Sequence, residues 1–398
     1  MTLRLAIVVS HPIQHFSPWH REVAKMPDID LRVFFCCDWG TENYFDYEFQ
    51  SEFKWDIPLL EGYEYEFLPI RRRPVRLNYG QVNNPAVGKA LDGFDPDVVK
   101  IFGYSYRTNW HVASWTKRHR KPLLLYSDSD VRKELPGWKR LAKEGIVRRF
   151  YNSVDAALFV GDNNRDYHRH YGLPLERLFA GCLPIDQVQL RRAVPNRELT
   201  RRRIREEHGI PQDAFTVMFC GKYSPRKRPL DLVIASQTAS KKGIPLWALL
   251  VGEGSERQKI EDYCRNNNLT NVTLTGFANQ SKVPEYYAAS DVLAVTSDDD
   301  PHPLVVSEAG TFGLPTIVSD RIGCIGINDT ARPGANAAVY PCGDHERLSQ
   351  TMETLWRDRE LYLRMSEEAL KVSMSQDVGV AANQLCDAVK SLHEMGPR

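Results

Sequence analysis

The sequence predicts an α/β fold in which two Rossmann-like domains face each other across a cleft. Three observations lead to this prediction. Short, continuous apolar runs recur along the chain, which is typical of strands buried on both faces of a parallel sheet. Helix-like segments separate these runs, as in βαβ units. The 398 residues suffice for two or three domains of roughly 150 residues each, and the two halves open alike, at residues 5–9 and 216–220.

The expected strands alternate with helices in both halves. In the first half the apolar runs are residues 5–9, 31–35, 98–102, 123–126 and 156–160. In the second half they are residues 216–220, 246–251, 272–275, 292–296 and 316–319, with helices expected at 229–241 and 255–267. Between the halves lies a polar, charge-rich stretch. We therefore expect an N-terminal domain at 1–187, a linker with an exposed helix at 188–211, and a C-terminal domain at 212–376.

The composition excludes several classes of protein. The 52 Lys and Arg residues balance the 51 Asp and Glu residues, so no global field attracts nucleic acid, and we expect no nucleic-acid partner. The eight cysteines form no C-x-x-C pair, which argues against a zinc site or a redox motif. No apolar stretch approaches the roughly 20 residues that span a bilayer, and the first apolar run is too short for a signal peptide. We expect a cytoplasmic protein.

A cation-rich turn follows the first strand of the second domain. Gly221 and Lys222 open the turn, and residues 226–228 add three more cations before a helix. Ligands of open α/β sheets bind beyond the carboxyl ends of strands, where Lys and Arg neutralise a diphosphate. The turn therefore predicts an anion site, and the alternative is a basic surface loop. An arginine run at 201–203 is a weaker candidate for phosphate, because a solvated helix face explains it better.

A second helix start follows the strand expected at 292–296. Pro303 suits the first position of a helix, so that Leu304 and Val305 present free N–H groups to a phosphate. Glu308 lies about one turn into this helix, where a carboxylate accepts hydrogen bonds from a ribose diol, the role that we favour. The acidic residues 298–300 either cap the helix and contact a sugar, which we favour, or bind a divalent ion.

Taken together, these segments match the motifs of one enzyme family. Lys222 and Lys227 have the spacing of a G-R/K-x-x-x-x-K pair, and Asp300 stands seven residues before Glu308, as in an E-x7-E motif. Residues 250–254, 274–277, 286–291 and 313–315 look like further recurring blocks. The second half of the chain, about residues 216–344, thus resembles retaining glycosyltransferases of the GT-B fold, family 4.

The resemblance implies roles for the matching residues. Lys222 and Lys227 would hold the leaving nucleoside diphosphate of a sugar donor, where charge develops as the glycosidic bond breaks. Glu308 would bind the donor ribose, and Asp300 would contact the transferred sugar. Retention in this family is usually ascribed to front-face attack, so no carboxylate nucleophile, metal ion or other cofactor is implied.

Two further expectations come from the family's fold. The backbone near Gly276 and Phe277 would meet the nucleobase. The final stretch, residues 377–398, would form a helix that crosses back to the N-terminal domain.

This sequence departs from the family pattern in both halves. Asp300 is one methylene shorter than the family's Glu. His302 and Pro303 replace an aromatic-Gly pair, and His302 either touches the donor sugar or caps the helix. After the first strand, where many relatives have a glycine-rich loop, His11 and Gln14 either bind acceptor hydroxyls or the diphosphate, or belong to a packed surface loop.

Asp128, after the strand expected at 123–126, is the best candidate for the acceptor side, although no general base is assigned. Some relatives act at a membrane surface, and one segment here fits that role: Trp138, Leu141, Ala142 and Ile146 fall at helical spacing among cations. We favour packing of this apolar stripe on the sheet over peripheral contact with a membrane.

The sequence therefore predicts an enzyme that moves a sugar, with retention, from a nucleoside-diphosphate sugar to a hydroxyl of a glycan, a lipid-linked or a small-molecule acceptor, in glycan or polysaccharide biosynthesis. The donor would sit on the C-terminal domain and the acceptor on the N-terminal one. Two alternatives stay open. A nucleotide-sugar epimerase needs an acid/base pair that we do not find, and a non-catalytic scaffold would only bind the sugar nucleotide.

Overall fold

A computed structural model describes residues 2–46, 49–130 and 137–398, apart from the side chain of residue 139. The chain forms two compact units. The first unit holds Met1–Glu42, Pro58–Pro184 and Asp377–Arg398, and the second holds Asn43–Ile57 and Ile185–Gln376. Each unit is built around one parallel sheet.

The secondary structure of the described residues alternates between strands and helices. The strands are β1 (Leu3–Val9), β2 (Ile29–Phe35), β3 (Tyr44–Asp46), β4 (Ser51–Phe53), β5 (Glu64–Phe67), β6 (Val98–Phe102), β7 (Leu123–Tyr126), β8 (Ala156–Phe159), β9 (Leu178–Ala180), β10 (Phe215–Cys220), β11 (Leu246–Val251), β12 (Val272–Leu274), β13 (Val292–Val295), β14 (Thr316–Ser319) and β15 (Ala337–Tyr340). The helices are α1 (Ser17–Ala24), α2 (Val87–Phe94), α3 (Arg107–His119), α4 (Gly137–Tyr151), α5 (Asp162–His170), α6 (Gln187–Arg192), α7 (Arg197–Glu207), α8 (Pro229–Lys241), α9 (Arg257–Asn266), α10 (Val283–Ala289), α11 (Leu304–Thr311), α12 (His345–Arg357), α13 (Arg359–Met374) and α14 (Val378–Met395).

The sheet of the first unit is parallel, with the strand order β5-β2-β1-β6-β7-β8-β9. Its inner strand β1 is apolar on both faces because helices cover both. On one face Val8 shares a core with Val112 of α3. On the other face Trp19 of α1 contacts Tyr126 of β7, with ring centroids 5.2 Å apart.

The second unit has a parallel sheet in the order β12-β11-β10-β13-β14-β15, and a separate antiparallel hairpin of β3 and β4. Alternate residues of β10 enter two cores: Met218 packs with residues of α10 and α11, and Val217 with residues of α8 and α12. The parallel sheets covered on both faces confirm the predicted α/β class.

Helix α14 belongs to the first unit, where it packs along α1. Lys390 of this helix donates to a carboxylate oxygen of Asp28 at 2.9 Å. After the helix, the Gly396 carbonyl accepts from Arg177 at 2.9 Å, and the Arg398 guanidinium donates to the Tyr151 carbonyl at 2.9 Å. These contacts fix the last residues against the first sheet's own helices and loops.

Each strand expected from an apolar run is present, with ends that shift by at most two residues. Five strands were not predicted, namely β3, β4, β5, β9 and β15. They are short and lie at sheet edges or outside the large sheets. An edge strand does not need a continuous apolar run, and in β5 both Glu64 and Glu66 are exposed.

The stretch predicted as a linker, residues 188–211, instead folds within the second unit as parts of α6 and α7. Arg205 of α7 is fully buried, and its guanidinium donates to a carboxylate oxygen of Asp291 at 2.9 Å. Arg201 donates to the other oxygen of Asp291 at 2.8 Å. A buried guanidinium is tolerated because it is paired and hydrogen-bonded. These two arginines are therefore structural.

The apolar stripe of α4 does not pack on the sheet, contrary to the reading favoured from the sequence. Trp138, Leu141 and Ile146 are 71%, 73% and 56% exposed. Val147 and Phe150, one step around the helix, make the buried contacts instead. The helix therefore presents a second apolar face outward.

No helix of the described residues combines the length and the apolar character needed to cross a bilayer.

Candidate functional site

The sheet of the second unit has a topological switch point between β10 and β13. From β10 the chain continues on one side to β11 and β12, and on the other side of β10 lie β13, β14 and β15. Connections leave such neighbouring strands in opposite directions, which opens a crevice at their carboxyl ends. The loops after β10 and β13, residues 221–228 and 296–303, both begin at this crevice.

The cationic turn after β10 is fixed against the loop after β13. The Thr296 hydroxyl donates to the carbonyl oxygens of Lys227 and Arg228 at 2.8 and 2.9 Å. The Asp298 N–H donates to the Arg226 carbonyl at 2.9 Å. Backbone bonds thus hold the predicted anion turn beside the acidic residues of the second loop.

A glycine contact positions Lys222. Gly252, just after β11, has φ near +149°, and a Cβ there would lie 1.9 Å from the Gly221 carbonyl oxygen. The Gly221 N–H donates to the Val251 carbonyl at 3.0 Å, and the buried Tyr223 hydroxyl donates to the Leu250 carbonyl at 2.8 Å. Only a residue without a side chain allows the two loops to approach so closely.

Lys227 and Asp300 contact each other directly. The Lys227 ammonium lies on Oδ2 of Asp300, and the two side chains are 21% and 10% exposed. Asp300 is itself fixed, because it forms a bridge with Ile322 and its carbonyl accepts from the Gly323 N–H at 2.8 Å. The two residues predicted to serve the diphosphate and the sugar therefore form one ion pair.

Lys222 lies near an element that the sequence did not predict. Its ammonium donates to Asp46 of β3, with an N–O distance of 3.2 Å, and lies 4.8 Å from the ring centroid of Phe49. Both residues belong to the segment Asn43–Ile57 of the second unit. The tip of the cationic turn thus faces a carboxylate and an aromatic ring.

Helix α11 begins at Leu304, one residue later than predicted, so Pro303 is its N-cap and not its first helical residue. No side chain caps this helix. The structure therefore does not place the acidic run or His302 as a cap of α11, and Asp300 pairs with Lys227 instead. The N–H groups of Leu304 and Val305 lie in the first turn, where an α-helix supplies no carbonyl partner. The helix has eight residues.

Glu308 lies at the inner end of the site. The Tyr287 hydroxyl donates to its Oε2 at 2.7 Å. The surrounding protein raises the pKa of the Glu308 carboxyl above its ordinary value of 4.5, although the bond from Tyr287 opposes the shift. Burial raises the pKa of the Cys220 thiol, at the end of β10, to about 12, and the negative charge of Glu308 contributes to this rise. The carboxylate thus lies at the switch point.

His302 is buried, and its Nδ1 lies 3.9 Å from a carboxylate oxygen of the equally buried Asp329. Burial lowers the pKa of His302 to about 4, so the imidazole is neutral near pH 7. Its Nε2 has no hydrogen-bond partner among the described residues. Three or more His, Cys, Asp or Glu side chains arranged to hold a metal ion are not found in the described part of the chain.

Gly276 and Phe277 follow β12. Gly276 has φ near +78°, and its carbonyl accepts from the Gly252 N–H at 3.0 Å. The Phe277 ring stacks on Phe53 of β4, with centroids 4.3 Å apart and an interplanar angle of 27°. The loop predicted to meet a nucleobase is thus packed under the same hairpin that contacts Lys222.

The candidates of the first unit lie at the carboxyl edge of its sheet. His11 and Gln14 follow β1, and Asp128 follows β7. Strand β6 separates β1 from β7, so these loops start roughly 10 Å apart. His11 accepts or donates at Nδ1 with the Ser10 hydroxyl at 2.9 Å, and burial lowers the pKa of His11 to about 4. Asp128 is exposed.

Sequence reasoning missed the residues that pair with the predicted ones: Asp46, Phe49 and Phe53 of the hairpin, and Tyr287 and Asp329. One signal was available. Residues 44–55 hold six aromatic side chains, far more than a loop needs.

Comparison with known proteins finds a family model that matches part of the chain, and relatives of low sequence identity. Residues 200–372 match the family model described as glycosyl transferases group 1. The chain is 24% identical to the alpha-D-kanosaminyltransferase of Streptomyces kanamyceticus, over 81% of this chain and 80% of that protein. It is also 24% identical to a GDP-mannose-dependent alpha-mannosyltransferase of Mycobacterium tuberculosis, over 69% and 68% of the two chains.

Solved structures of the same fold cover the whole chain. HepE of Anabaena, crystallised in complex with UDP, superposes with a TM-score of 0.74 at 16% identity and covers 98% of this chain and 100% of its own. The same protein in complex with UDP-glucose gives a TM-score of 0.70. These likenesses show that the fold is GT-B.

Proposed function

We propose that this chain is a member of the glycosyl transferases group 1 family, whose model matches residues 200–372, and that it transfers a sugar from a nucleoside-diphosphate sugar to a hydroxyl acceptor. The observation that carries the proposal is the pairing of Lys227 with Asp300 at the switch point of the second sheet. A phosphate ligand and a sugar ligand need a cation and a carboxylate, respectively, at adjacent positions. This pair supplies both.

The donor diphosphate is bound by Lys222, Lys227 and the first turn of α11. Two ammonium groups neutralise the charge that accumulates on the diphosphate when the bond to the sugar breaks. The N–H groups of Leu304 and Val305 add hydrogen bonds and the positive end of a helix dipole. These groups stabilise the leaving group more than the intact donor, which is the condition for catalysis.

Asp300 orients the transferred sugar. The Lys227 ammonium has three donors, so it can hold Asp300 and a phosphate oxygen at the same time. A sugar attached to that phosphate then lies beside the carboxylate. The shorter side chain of Asp, compared with Glu, is compensated by its direct contact with Lys227. The neutral, buried His302 has Nε2 available for a sugar hydroxyl.

Glu308 binds the ribose and the loop at Gly276 and Phe277 receives the base. Tyr287 occupies Oε2 of Glu308, which leaves Oε1 to accept a ribose hydroxyl. HepE, which shares the fold, was crystallised with UDP and with UDP-glucose, so UDP is the first nucleotide to test. A mannosyltransferase among the relatives depends on GDP-mannose, so GDP is the second.

The transfer proceeds with retention and without a divalent ion. Both lysines supply the positive charge that a metal would otherwise bring to the diphosphate. Retention follows from the front-face attack that the family resemblance implies, in which the acceptor attacks on the face from which the leaving group departs and no carboxylate nucleophile takes part. Activity that survives a chelator and a product with the donor's anomeric configuration are the expected results.

The acceptor binds at the carboxyl edge of the first sheet, near His11, Gln14 and Asp128. Peripheral contact with an anionic membrane accompanies this role, because Trp138, Leu141 and Ile146 are exposed on a helix rich in Lys and Arg. Vesicles with anionic lipid should bind the protein and lose it when Leu141 is replaced by Ser. Pull-down equal to that with neutral vesicles contradicts the membrane contact.

The experiment that tests the function is release of free nucleoside diphosphate from UDP-glucose, UDP-N-acetylglucosamine and GDP-mannose, with and without a panel of hydroxyl acceptors. A transferase releases the diphosphate faster when its acceptor is present. A scaffold releases none, and an epimerase converts the sugar without release. The proposal is contradicted if no donor releases nucleoside diphosphate with any acceptor, and the sugar is either epimerised or stays bound and unreacted.

A further inference from the structure

The hairpin of β3 and β4 lies on the residues that the proposed donor site requires. It belongs to the second unit, although the chain reaches it from the first. Two residues of the hairpin segment contact Lys222, and two contact Phe277.

The first contact is electrostatic. Asp46 places its carboxylate 3.2 Å from the Lys222 ammonium, and the two side chains are only 17% and 26% exposed. A carboxylate oxygen accepts from an ammonium as a phosphate oxygen does. In this structure Asp46 therefore satisfies the cation that the donor diphosphate needs.

The second contact is aromatic. Phe53 stacks on the Phe277 ring at 4.3 Å, and Phe49 meets the same ring edge-on at 5.1 Å. A ring face covered by another ring at stacking distance is closed to a nucleobase. Phe49 also lies under Lys222, so it joins the two contacts into one surface.

The end of the segment is anchored elsewhere. The Asn279 amide donates to the Lys54 carbonyl at 2.6 Å, and the Ser281 N–H donates to Asp56 at 3.2 Å. These bonds use neither Lys222 nor Phe277. The end of the segment is therefore held by contacts that are separate from those at Asp46 and Phe53.

We propose that the strands β3 and β4 carry an internal competitor of the donor: Asp46 takes the place of a donor phosphate on Lys222, and Phe53 covers one face of the Phe277 ring. This inference rests on the proposed donor site. Donor binding then requires the hairpin to leave Lys222 and Phe277. Breaking these contacts costs free energy, so the affinity for nucleotide is lower than it would be without the hairpin. The same contacts keep the site closed when no donor is bound.

The test is calorimetric titration of UDP, GDP, ADP and dTDP into the full-length protein and two charge-matched variants. Asp46→Asn removes the competing charge. Glu52→Gln removes an equal charge from an exposed position of the same hairpin. We expect Asp46→Asn to bind the preferred nucleotide about three- to tenfold more tightly than the wild type, and Glu52→Gln to match the wild type.

Hydrogen exchange of the peptide 43–57 gives an independent readout. Saturating nucleotide should speed its exchange in the wild type, because the hairpin leaves its contacts. Slower exchange combined with weaker binding by Asp46→Asn would mean that the hairpin closes over the nucleotide, and it overturns the proposal. Equal binding by the wild type and Asp46→Asn overturns it while the donor site stands. No binding by either variant overturns the donor site and this proposal together.

Discussion

The carboxyl edges of the two sheets are built alike, but the side chains that lie there differ in charge and in their contacts. At the edge of the second sheet, charged residues occur in contact: Lys227 with Asp300, and Lys222 with Asp46. At the edge of the first sheet, His11 is held neutral by burial and Asp128 stands exposed two strands away. Parallel strands create the place for a ligand in both units, and among the described residues the second unit fills it with paired cations and carboxylates.

The same contrast holds for buried basic groups. In the first unit Lys100 is fully buried, with its ammonium 4.1 Å from the ring centroid of Trp19 and 3.5 Å from that of Phe102. Burial without an acidic neighbour lowers the pKa of Lys100 and that of His20 well below their ordinary values. In the second unit the fully buried Arg205 is paired with Asp291. The buried Lys100 of the first unit is accommodated because its uncharged form is favoured, and the buried Arg205 of the second unit because it is paired with a carboxylate.

The largest expected effect comes from breaking the pair of the second unit. Lys227→Ala should lower kcat roughly 10²–10³-fold, the loss typical when one electrostatic donor to a developing charge is removed. The matched control is Lys259→Ala, which removes an exposed lysine of the same unit. Steady-state kinetics and circular dichroism check the result.

Because Lys227→Ala leaves Asp300 unpaired, the double variant Lys227→Ala/Asp300→Asn separates folding from catalysis. It should regain any lost thermal stability and stay inactive. Activity near that of the wild type in either variant contradicts the role of Lys227.

The next effect concerns two glycines, each of which follows an inner strand of one sheet. Gly252→Ala should destabilise the second unit on the order of 3 kcal/mol, because the new Cβ would lie 1.9 Å from a backbone oxygen. Gly103 of the first unit also has a positive φ, near +62°, but open space around it, so Gly103→Ala should cost only about 1 kcal/mol. Denaturant unfolding measures both. Equal costs would mean that the loops after β10 and β11 do not need their close approach.

Glu308 links the site to pH. Its carboxyl pKa is raised by folding, so the ionised form costs stability, and this cost grows as pH rises from 4.5 through the raised value. Glu308→Gln should therefore be more stable than the wild type at pH 7 and equal to it in acid. Donor binding has the opposite sign: the variant should bind nucleotide about tenfold or more weakly, since a hydrogen bond to a charged group is worth about 1.5–3 kcal/mol.

Thermal unfolding and nucleotide titration at pH 5 and pH 7 measure both effects of Glu308→Gln. A variant that binds nucleotide as tightly as the wild type at pH 7 contradicts the ribose role.

The smallest expected effect belongs to the first unit. His11→Ala and Asp128→Asn should raise the KM for acceptor a few-fold and leave the dissociation constant for nucleotide unchanged. His11→Ala loses a hydrogen bond between neutral groups, worth about 0.5–1.5 kcal/mol, and Asp128→Asn removes a charge but keeps an oxygen that accepts a hydrogen bond. Kinetics with the acceptor varied at saturating donor provide the measurement. A change in nucleotide affinity would assign these residues to the donor instead.

Prediction from the sequence was more complete for the second unit than for the first, and the reason is physical. Continuous apolar runs mark strands that are buried on both faces, so the inner strands were predictable, whereas the edge strand β5, with exposed Glu64 and Glu66, was not. Local spacing placed Lys222, Lys227 and Glu308 at the switch point. Their partners were out of reach, since Asp46 is 176 residues away from Lys222 along the chain.

The sequence likewise did not predict which helical residues are exposed. The sequence shows that α4 has an apolar stripe, but Val147 and Phe150 of the same helix also offer apolar surface, and only the fold decides which face turns inward. In the arginine run 201–203, Arg202 and Arg203 are exposed and pair with carboxylates of the same helix, whereas Arg201 donates to Asp291.

The central claim is that the second unit binds a nucleoside diphosphate through Lys222, Lys227 and Glu308. Calorimetric titration of UDP and GDP into the wild type, the Lys227→Ala variant and the Lys259→Ala control tests it most directly. The account predicts that one nucleotide binds the wild type and the control alike, and binds Lys227→Ala at least tenfold more weakly. Undiminished binding by Lys227→Ala, or no binding of any nucleotide to the wild type, would contradict it.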